Sequence, residues 1–223
     1  MKKVTVFYPA WATEIRELLN RYGRQYIPDV KIQHCCDDSL LDAILEAGSI
    51  TPALERRTID DFAAAADTGC EYLIDACSSI GSIATKYADA FRVPLLRIDG
   101  PMCKYAAENF NRIGVIGTLA TSVDPCAELI RSYAAEAGKQ DVFIEAATAE
   151  GAMDAYQKGD LETGRRIIQQ KAEKMFGSVD VFVLAQGSMF QHKPFIEEKS
   201  GMPVLTTPEM CIQNLKSLFE SKK

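Results

Sequence analysis

The sequence is poor in the residues on which metal centres and nucleic-acid-binding surfaces depend. It holds only two histidines, and no two of its cysteines form a Cys-x-x-Cys pair, so we expect no structural metal site. Lys and Arg number 25 against 31 Asp and Glu, which gives a formal net charge of −6. Neutralising phosphates requires a dense cluster of basic residues, which is missing, so nucleic acid is not an expected partner.

Long apolar runs are missing as well. No stretch approaches the roughly 20 apolar residues of a membrane-spanning helix, and the apolar stretch near the N-terminus is too short for a secretory signal. We therefore expect no membrane partner, and a cytoplasmic protein whose seven cysteines are reduced thiols. The first half has no Gly-x-Gly-x-x-Gly segment and no phosphate-binding loop is present, so nothing indicates a nucleotide cofactor.

What the chain does contain is an alternation of short β-rich apolar runs and longer helical patterns. It has 223 residues, 47% of them hydrophobic, which suffices for one large or two small globular domains. The alternation predicts right-handed βαβ units and parallel sheets. The predicted strands are Val4–Phe7, Val30–Gln33, Tyr72–Ile74, Leu95–Ile98, Ile113–Ile116, Val142–Glu145, Val181–Leu184 and Val204–Leu205. The predicted helices include Ala12–Arg21, Ser39–Glu46, Arg57–Ala66, Ile83–Phe91, Thr121–Ala137, Leu161–Lys174 and Pro208–Phe219.

The two halves of the chain repeat each other. A shift of 109 residues carries Val4–Phe7 onto Ile113–Ile116 and Leu73–Cys77 onto Phe182–Gln186, while the second strand needs a gap of about three residues. We therefore predict an α/β fold of two pseudo-symmetric halves, each a four-stranded parallel sheet flanked by helices, with the active-site cleft between them. The predicted bounds are 1–100 for the first half, 101–206 for the second, and 207–223 for a C-terminal helix that packs back on the first.

Residues that follow the strands are the candidates for a site, because open parallel sheets bind ligands beyond the carboxyl ends of their strands. Cys77 follows the third strand and is succeeded by Ser78 and Ser79. If a helix starts there, its N-terminus favours the thiolate, the form of cysteine that takes a proton or attacks carbon. The alternative is that Cys77 is a small buried hydrophobic residue and that a serine caps the helix.

The first strands of both halves are followed by further candidates. Pro9 lies directly after the first strand, beside Tyr8 and Trp11. In the second half, Thr118 and Thr121 come after the first strand, and their hydroxyls with helix N-terminal amides suit a carboxylate. A tight turn with a helix cap would use the same residue types.

The segment that mirrors Cys77 in the second half has different chemistry. Gln186, Gly187 and Ser188 stand where Cys77 and its two serines stand in the first half. A glutamine cannot act as a proton-transfer base, but it can orient a substrate or donate a hydrogen bond to an oxyanion. The alternative is an ordinary polar strand end. His192, which follows in a Gln-His-Lys-Pro segment, is expected in a solvated loop.

With these residues placed, the chain resembles the aspartate/glutamate/hydantoin racemase superfamily over nearly its whole length. The resemblance rests on the paired four-stranded halves, the Ala-Cys-Ser-Ser segment around Cys77 and the Val-Ile-Gly-Thr-Leu-Ala-Thr segment that opens the second half. Family members need no cofactor, and two facing cysteines exchange the proton on the carbon next to a carboxylate. The resemblance implies a homodimer in which Cys77 is one such thiol. It also implies that Ser78, Ser79, Thr118 and Thr121 line the carboxylate pocket, and Pro9, Gly187 and Ser188, which follow strands, complete the predicted substrate-binding residues.

The second half departs from the family pattern. Family members carry a second cysteine where this chain has Gln186, and glutamate-type members have a histidine shortly after it and an acidic residue after the first strand, where Tyr8 and Pro9 stand here. One thiol serves one face of a planar carbanion. Racemisation of glutamate by two thiols is therefore not expected.

The leading hypothesis is a cofactor-independent racemase or isomerase that transfers the proton on the carbon α to the carboxylate of a small amino acid or related acid. Cys77 is its acid and base, and Gln186 its second catalytic residue. One alternative is a one-thiol lyase, a decarboxylase of an activated carboxylic acid. A second alternative is a non-catalytic protein that binds small carboxylates.

Overall fold

The computed structural model describes residues 2–221, which form two compact units. The described residues of Met1–Ile98 and Cys211–Lys223 make up unit 1, and Asp99–Met210 make up unit 2. Each unit contains one four-stranded sheet in which every strand pair is parallel. The predicted architecture of two four-stranded parallel halves flanked by helices is therefore confirmed.

Unit 1 is built from four strands and the helices between them. In chain order its elements are β1 (Lys2–Tyr8), α1 (Thr13–Tyr26), β2 (Val30–Cys36), α2 (Leu40–Ala47), α3 (Pro52–Ala66), β3 (Tyr72–Asp75), α4 (Gly81–Lys86) and β4 (Leu95–Arg97). The strand order is β2-β1-β3-β4. All eight strands predicted for the chain, including these four, are present.

The side chains of β1 alternate between the two faces of the sheet, as the pleat of a strand requires. Phe7 packs edge to face on Phe62 of α3, with ring centroids 5.3 Å apart, in a core shared with α2 and α4. On the other face, α1 lies so close to β2 that a Cβ on Gly23 would come within 2.5 Å of Ile32 Cδ1. A side chain at position 23 would therefore require Ile32 to move.

Unit 2 has the strand order β6-β5-β7-β8. The elements that follow β4 in the chain are α5 (Gly100–Asn109), β5 (Arg112–Gly117), α6 (Ala120–Glu136), β6 (Phe143–Thr148), α7 (Ala152–Gln157), α8 (Leu161–Glu173), β7 (Val181–Leu184), α9 (Lys193–Ser200), β8 (Val204–Leu205) and α10 (Thr207–Glu220). One core lies between the sheet and α5 with α6, and a second between the sheet and α7, α8 and α9. The later part of α10 belongs to unit 1, where Phe219 packs on Tyr72 with ring centroids 5.1 Å apart.

The strand registers of the two units repeat at the shift found in the sequence. The residue numbers of the β3 and β7 partners differ by 109, and those of the β2 and β6 partners differ by 112. The pairs are Val4 with Tyr72 and Ile32, and Ile113 with Val181 and Ile144. The three-residue gap predicted for the second strand is therefore present in the hydrogen-bonded register.

The helix predicted over Ile83–Phe91 is shorter in the structure, where α4 ends at Lys86. The chain turns away after Lys86 because Phe91 packs edge to face on Phe62, with centroids 6.0 Å apart, and Arg92 donates to the Ala66 carbonyl at 2.7 Å. Tertiary packing thus overrides the local helical pattern. Within the described residues, no helix combines the length and the apolar character needed to cross a membrane.

Candidate functional site

Cys77 lies just past the carboxyl end of β3, where the chain leaves the sheet. The Ala76 N–H donates to the Phe7 carbonyl of β1 at 3.0 Å, which continues the sheet by one residue. Cys77 itself is extended, with φ −141° and ψ 116°, and precedes a single 3-10 turn, Ser78–Ile80. Cys77 is half-buried and packs against the core that the sheet forms with α2, α3 and α4.

A buried carboxylate holds the backbone of Cys77. Asp75, the last residue of β3, is 1% exposed, and its Oδ1 accepts the Cys77 N–H at 3.0 Å. Asp75 is not among the site residues predicted from the sequence. The available signal was an acidic residue closing an apolar strand, since Leu73 and Ile74 precede it and a buried charge is rare without a structural or functional partner.

The other candidates of unit 1 lie at the same edge of its sheet. Ser78 and Ser79 are buried, at 6% and 5% exposure, in the 3-10 turn after Cys77. Pro9 is buried after β1, and its carbonyl accepts the Leu41 N–H at 2.8 Å, which ties the loop to α2. Trp11, by contrast, is 64% exposed and so packs in no core.

In unit 2, the structure joins two candidates by direct hydrogen bonds. The Gln186 Oε1 accepts the backbone N–H of Thr118 at 2.6 Å and the Thr118 hydroxyl at 2.8 Å. A backbone N–H can only donate, so the Gln186 atom that faces it must be the amide oxygen. The Gln186 side chain is therefore fixed with its NH2 group, which carries two donors, pointing away from Thr118. Thr118, buried at 5% exposure, uses both of its donors to hold this amide.

Close packing beneath Gln186 requires glycine at position 117. A Cβ there would come within 2.6 Å of Val123 Cγ2 and 3.4 Å of Gln186 Oε1. Of the remaining candidates in unit 2, Thr121 lies half-buried in the first turn of α6, Gly187 is half-buried at the start of a 3-10 helix (Gly187–His192), and Ser188 is exposed.

The prediction for His192 was wrong. Its side chain is 1% exposed rather than solvated, and its Nε2 lies 3.0 Å from the Tyr156 hydroxyl of α7. The Gln-His-Lys-Pro segment reads as a polar loop, but the 3-10 helix turns His192 inward. Burial lowers the pKa of His192 to about 4, with a smaller contribution from Arg165, so the imidazole is neutral at neutral pH.

The other histidine also belongs to a hydrogen-bonded pair. His34 Nδ1 lies 3.1 Å from the hydroxyl of the buried Tyr8, and Nε2 lies 3.1 Å from Asn20 Oδ1. Burial, with a smaller contribution from Arg16, lowers the pKa of His34 to about 4. Neither imidazole is therefore poised to titrate near neutral pH.

The remaining thiols near the strand ends differ from Cys77. Cys36, after Cys35 on β2, is exposed, and partial burial with the Asp38 carboxylate raises its pKa. Burial also raises the pKa of Cys35. Across residues 2–221, His, Cys, Asp and Glu side chains nowhere gather in a group of three or more suited to a metal ion.

The two units thus present different chemistry at equivalent places. Unit 1 has a half-buried thiol, an acid or base, followed by two buried serines. Unit 2 has a carboxamide whose oxygen is held by Thr118, whose NH2 group carries two donors, and which can neither take nor give a proton at neutral pH. A thiol next to hydroxyl donors, as in unit 1, suits proton transfer at a carbon next to an anionic group.

Comparison with known proteins agrees with this architecture. The chain is similar to glutamate racemase from Bacillus anthracis (12% identity, TM-score 0.78, covering 99% of this chain and 82% of that one). It is also similar to glutamate racemase from Francisella tularensis (16% identity, TM-score 0.75, 99% and 82%). A third similar structure is aspartate racemase from Picrophilus torridus (13% identity, TM-score 0.67, 97% and 95%). At these identities the likeness shows the fold.

The family is shown by the sequence itself. No curated protein sequence matches the chain. The family model described as Asp/Glu/hydantoin racemase, however, matches residues 13–215, which is most of the chain. The chain therefore belongs to the Asp/Glu/hydantoin racemase family.

Proposed function

We propose that this protein is a cofactor-independent racemase-type isomerase that transfers the proton on the carbon α to a carboxylate of a small amino acid or related acid. The observation that carries the proposal is the half-buried Cys77 thiol at the carboxyl end of β3. Membership of the racemase family supports the reaction class. The proposed setting is the cytoplasm, and the proposed assembly is a homodimer, which sedimentation showing only a monomer would contradict.

In the proposed step, the Cys77 thiolate takes the α-proton of the substrate. An S–H bond forms as the C–H bond breaks, and the electron pair spreads onto the carboxylate as an enediolate. Return of a proton from the thiol to carbon regenerates the thiolate. General acid–base catalysis of this kind contributes about 10²–10⁴-fold to the rate.

Gln186 has a different part in this proposal. Its Oε1 is held by Thr118, so its NH2 group is left to donate to the substrate carboxylate, whose negative charge grows as the enediolate forms. Thr118 is then a positioning residue for Gln186, while Ser78, Ser79 and Thr121 are the proposed carboxylate ligands. We also propose Pro9, Gly187 and Ser188 as substrate-binding residues.

A carboxamide at position 186 makes proton transfer unequal on the two faces of the substrate. Cys77 serves one face, and Gln186 has no proton to exchange with carbon. We therefore expect exchange of the α-proton with solvent, with retention of configuration, to be faster than inversion.

Proton NMR in deuterium oxide tests the proposal, with a panel of amino acids, hydantoins and substituted malonates as substrates. We expect loss of the α-proton signal with at least one of them, and a drop of at least 100-fold in the Cys77→Ser variant. Cys36→Ser, which removes an exposed thiol on the same sheet, is the matched control and should exchange at the wild-type rate.

The other outcomes identify the alternatives. Full activity of Cys77→Ser would show that the site is wrongly assigned. Release of carbon dioxide from a substituted malonate would identify a lyase instead. Binding of an acid without any exchange would identify a non-catalytic binder.

A further inference from the structure

The structure gives Cys77 little help from helix dipoles. The segment after it is a three-residue 3-10 turn followed by α4, which has only six residues, Gly81–Lys86. At the same time, the buried Asp75 carboxylate accepts the Cys77 N–H. A negative charge at that position disfavours the thiolate. If Cys77 acts as a base, a positive charge must offset Asp75.

Arg97 is the cation that the fold places beside this segment. Arg97 of β4 is the registered partner of Asp75 of β3, and partners on neighbouring strands project from the same face of a sheet. That face is the one covered by α4, because the Arg97 guanidinium lies against Gly81 at the start of that helix. A Cβ on Gly81 would come within 2.5 Å of Arg97 Cζ and 2.7 Å of its Nε and Nη2.

The arrangement exists only in the unit that carries the thiol. The same shift of 109 residues that relates Cys77 to Gln186 places Leu184, Phe190 and Thr206 where unit 1 has Asp75, Gly81 and Arg97. Unit 2 therefore lacks the carboxylate, the open helix start and the guanidinium together. The charged side chains of Asp75 and Arg97 and the thiol of Cys77 therefore occur in the same half of the chain.

We propose that Arg97 is a positioning residue for Cys77: its guanidinium, seated over Gly81, supplies the positive charge that holds the neighbouring thiol ready to act as a base. This inference rests on the proposed function for its catalytic meaning. Its physical content, a charge acting on a thiol, is independent of any substrate.

Other ionisable groups surround Cys77, and the direction of the effect does not depend on them. Removing a cation raises the free energy of a nearby anion whatever other charges are present. These other groups on the elements packed with Cys77 are Asp75, Cys35, Cys70 and the ion pair of Lys86 with Glu55, whose charged atoms lie 2.7 Å apart.

The test is the rate of Cys77 alkylation by iodoacetamide as a function of pH, read by mass spectrometry at that residue, in a Cys36→Ser background. Arg97→Gln is expected to move the alkylation profile to higher pH by roughly 0.5–1 unit, with a rate at pH 7 lower by about 3- to 10-fold. Arg97→Lys keeps the charge and should recover much of the rate. A merely structural role for Arg97 would leave the pH profile in place.

Gly81→Ala tests the same charge without removing it. The added Cβ meets the far end of a flexible side chain, so the guanidinium moves while the helix, with Gly81 at φ −60° and ψ −29°, accepts alanine without strain. A smaller shift in the same direction is expected, and no additional shift when Gly81→Ala is combined with Arg97→Gln. Ser82→Ala, at the exposed next residue of α4, is the control and should shift nothing.

The two levels of proposal fail separately. An unchanged alkylation profile in both Arg97→Gln and Gly81→Ala would overturn the role of Arg97, even if Cys77→Ser abolishes exchange. Full exchange by Cys77→Ser would overturn the proposed function, whatever the alkylation profiles show. If Arg97→Gln fails to fold, Gly81→Ala decides the question alone.

Discussion

The carboxyl ends of β3 and β7 have similar backbone conformations but carry side chains of different chemistry. Cys77 and Gln186 are both extended residues that precede a 3-10 helix. The residue before each donates its N–H to the first strand of its sheet, at 3.0 Å from Ala76 and 2.9 Å from Ala185. One position presents a thiol and the other a carboxamide, so the repeat preserves strand geometry while single side chains decide what each copy does.

The surroundings of the two positions differ as much as the residues themselves. The Gln186 side chain accepts hydrogen bonds from the neutral N–H and hydroxyl of Thr118. At Cys77, by contrast, the backbone N–H donates to the buried carboxyl group of Asp75. The first environment fixes a hydrogen-bond donor without shifting any proton. The second places a carboxyl group next to a titratable thiol. The two equivalent positions therefore differ both in the side chain that they carry and in whether a carboxyl group or neutral donors contact them.

The largest expected effect on activity comes from replacing the neutral Gln186 carboxamide of unit 2 by a charged carboxylate. Gln186→Glu keeps an oxygen that accepts from Thr118 but replaces the NH2 donors by an anion that repels a carboxylate substrate. We expect a kcat/KM lower by about 1,000-fold in the exchange assay, because an oxyanion donor is lost and a like charge is added. Thermal unfolding should stay close to wild type, because both hydrogen bonds from Thr118 persist.

Gln191→Glu is the matched control for this variant. Gln191 is exposed on the same 3-10 helix, so the same change of charge there should leave kcat/KM unchanged. If Gln186→Glu has wild-type activity, Gln186 does not contact the substrate, and the proposed difference in role between the two units is wrong.

A second comparison is between the two histidines, one in each unit. Folded His192 has a pKa of about 4, whereas the unfolded chain titrates near the ordinary value of 6.5, so the unfolded state binds the extra proton between these pH values. Stability is therefore full above pH 6.5 and falls as the pH drops towards 4, by about 3 kcal/mol for this residue. His34, whose pKa is also lowered to about 4, should contribute in the same direction.

Urea unfolding at pH 7 and pH 4.5 measures this difference. His192→Gln should lose less stability between the two pH values than wild type, since glutamine does not titrate. Equal pH dependence in His192→Gln and wild type would contradict the burial argument.

The smallest expected effect on activity comes from weakening the hydrogen bonds by which Thr118 holds the Gln186 side chain. Thr118→Val removes the hydroxyl that donates to Gln186 at 2.8 Å and leaves the backbone donor at 2.6 Å. We expect a loss of about 1 kcal/mol in unfolding free energy and a similar, about 5- to 10-fold, loss in kcat/KM. Thr118→Ser keeps the hydroxyl and should rescue activity. Loss of activity in Thr118→Ser equal to that in Thr118→Val would point to packing of the methyl group instead.

The fold was predictable from local patterns because each strand and helix has its own periodicity. The apolar run at Val4–Phe7 and its copy at Ile113–Ile116 are strands wherever they stand, and their common shift exposed the repeat. Prediction failed where a distant contact overrides the local pattern. The sequence around His192 is typical of a loop, but in the structure His192 is buried and lies next to the Tyr156 hydroxyl. The helix predicted to reach Phe91 ends earlier, and Phe91 packs on Phe62 instead.

The sequence by itself determined the two parallel sheets, their register and the places of Cys77 and Gln186 at matching strand ends, because these follow from short-range alternation and from one repeat. Only the tertiary structure decided which groups surround those two side chains. Thr118 and Gln186 are hydrogen-bonded although 68 residues separate them in the chain. Arg97 of β4 lies against Gly81 of α4. Such contacts depend on how elements pack together, and no local pattern of residues encodes that packing.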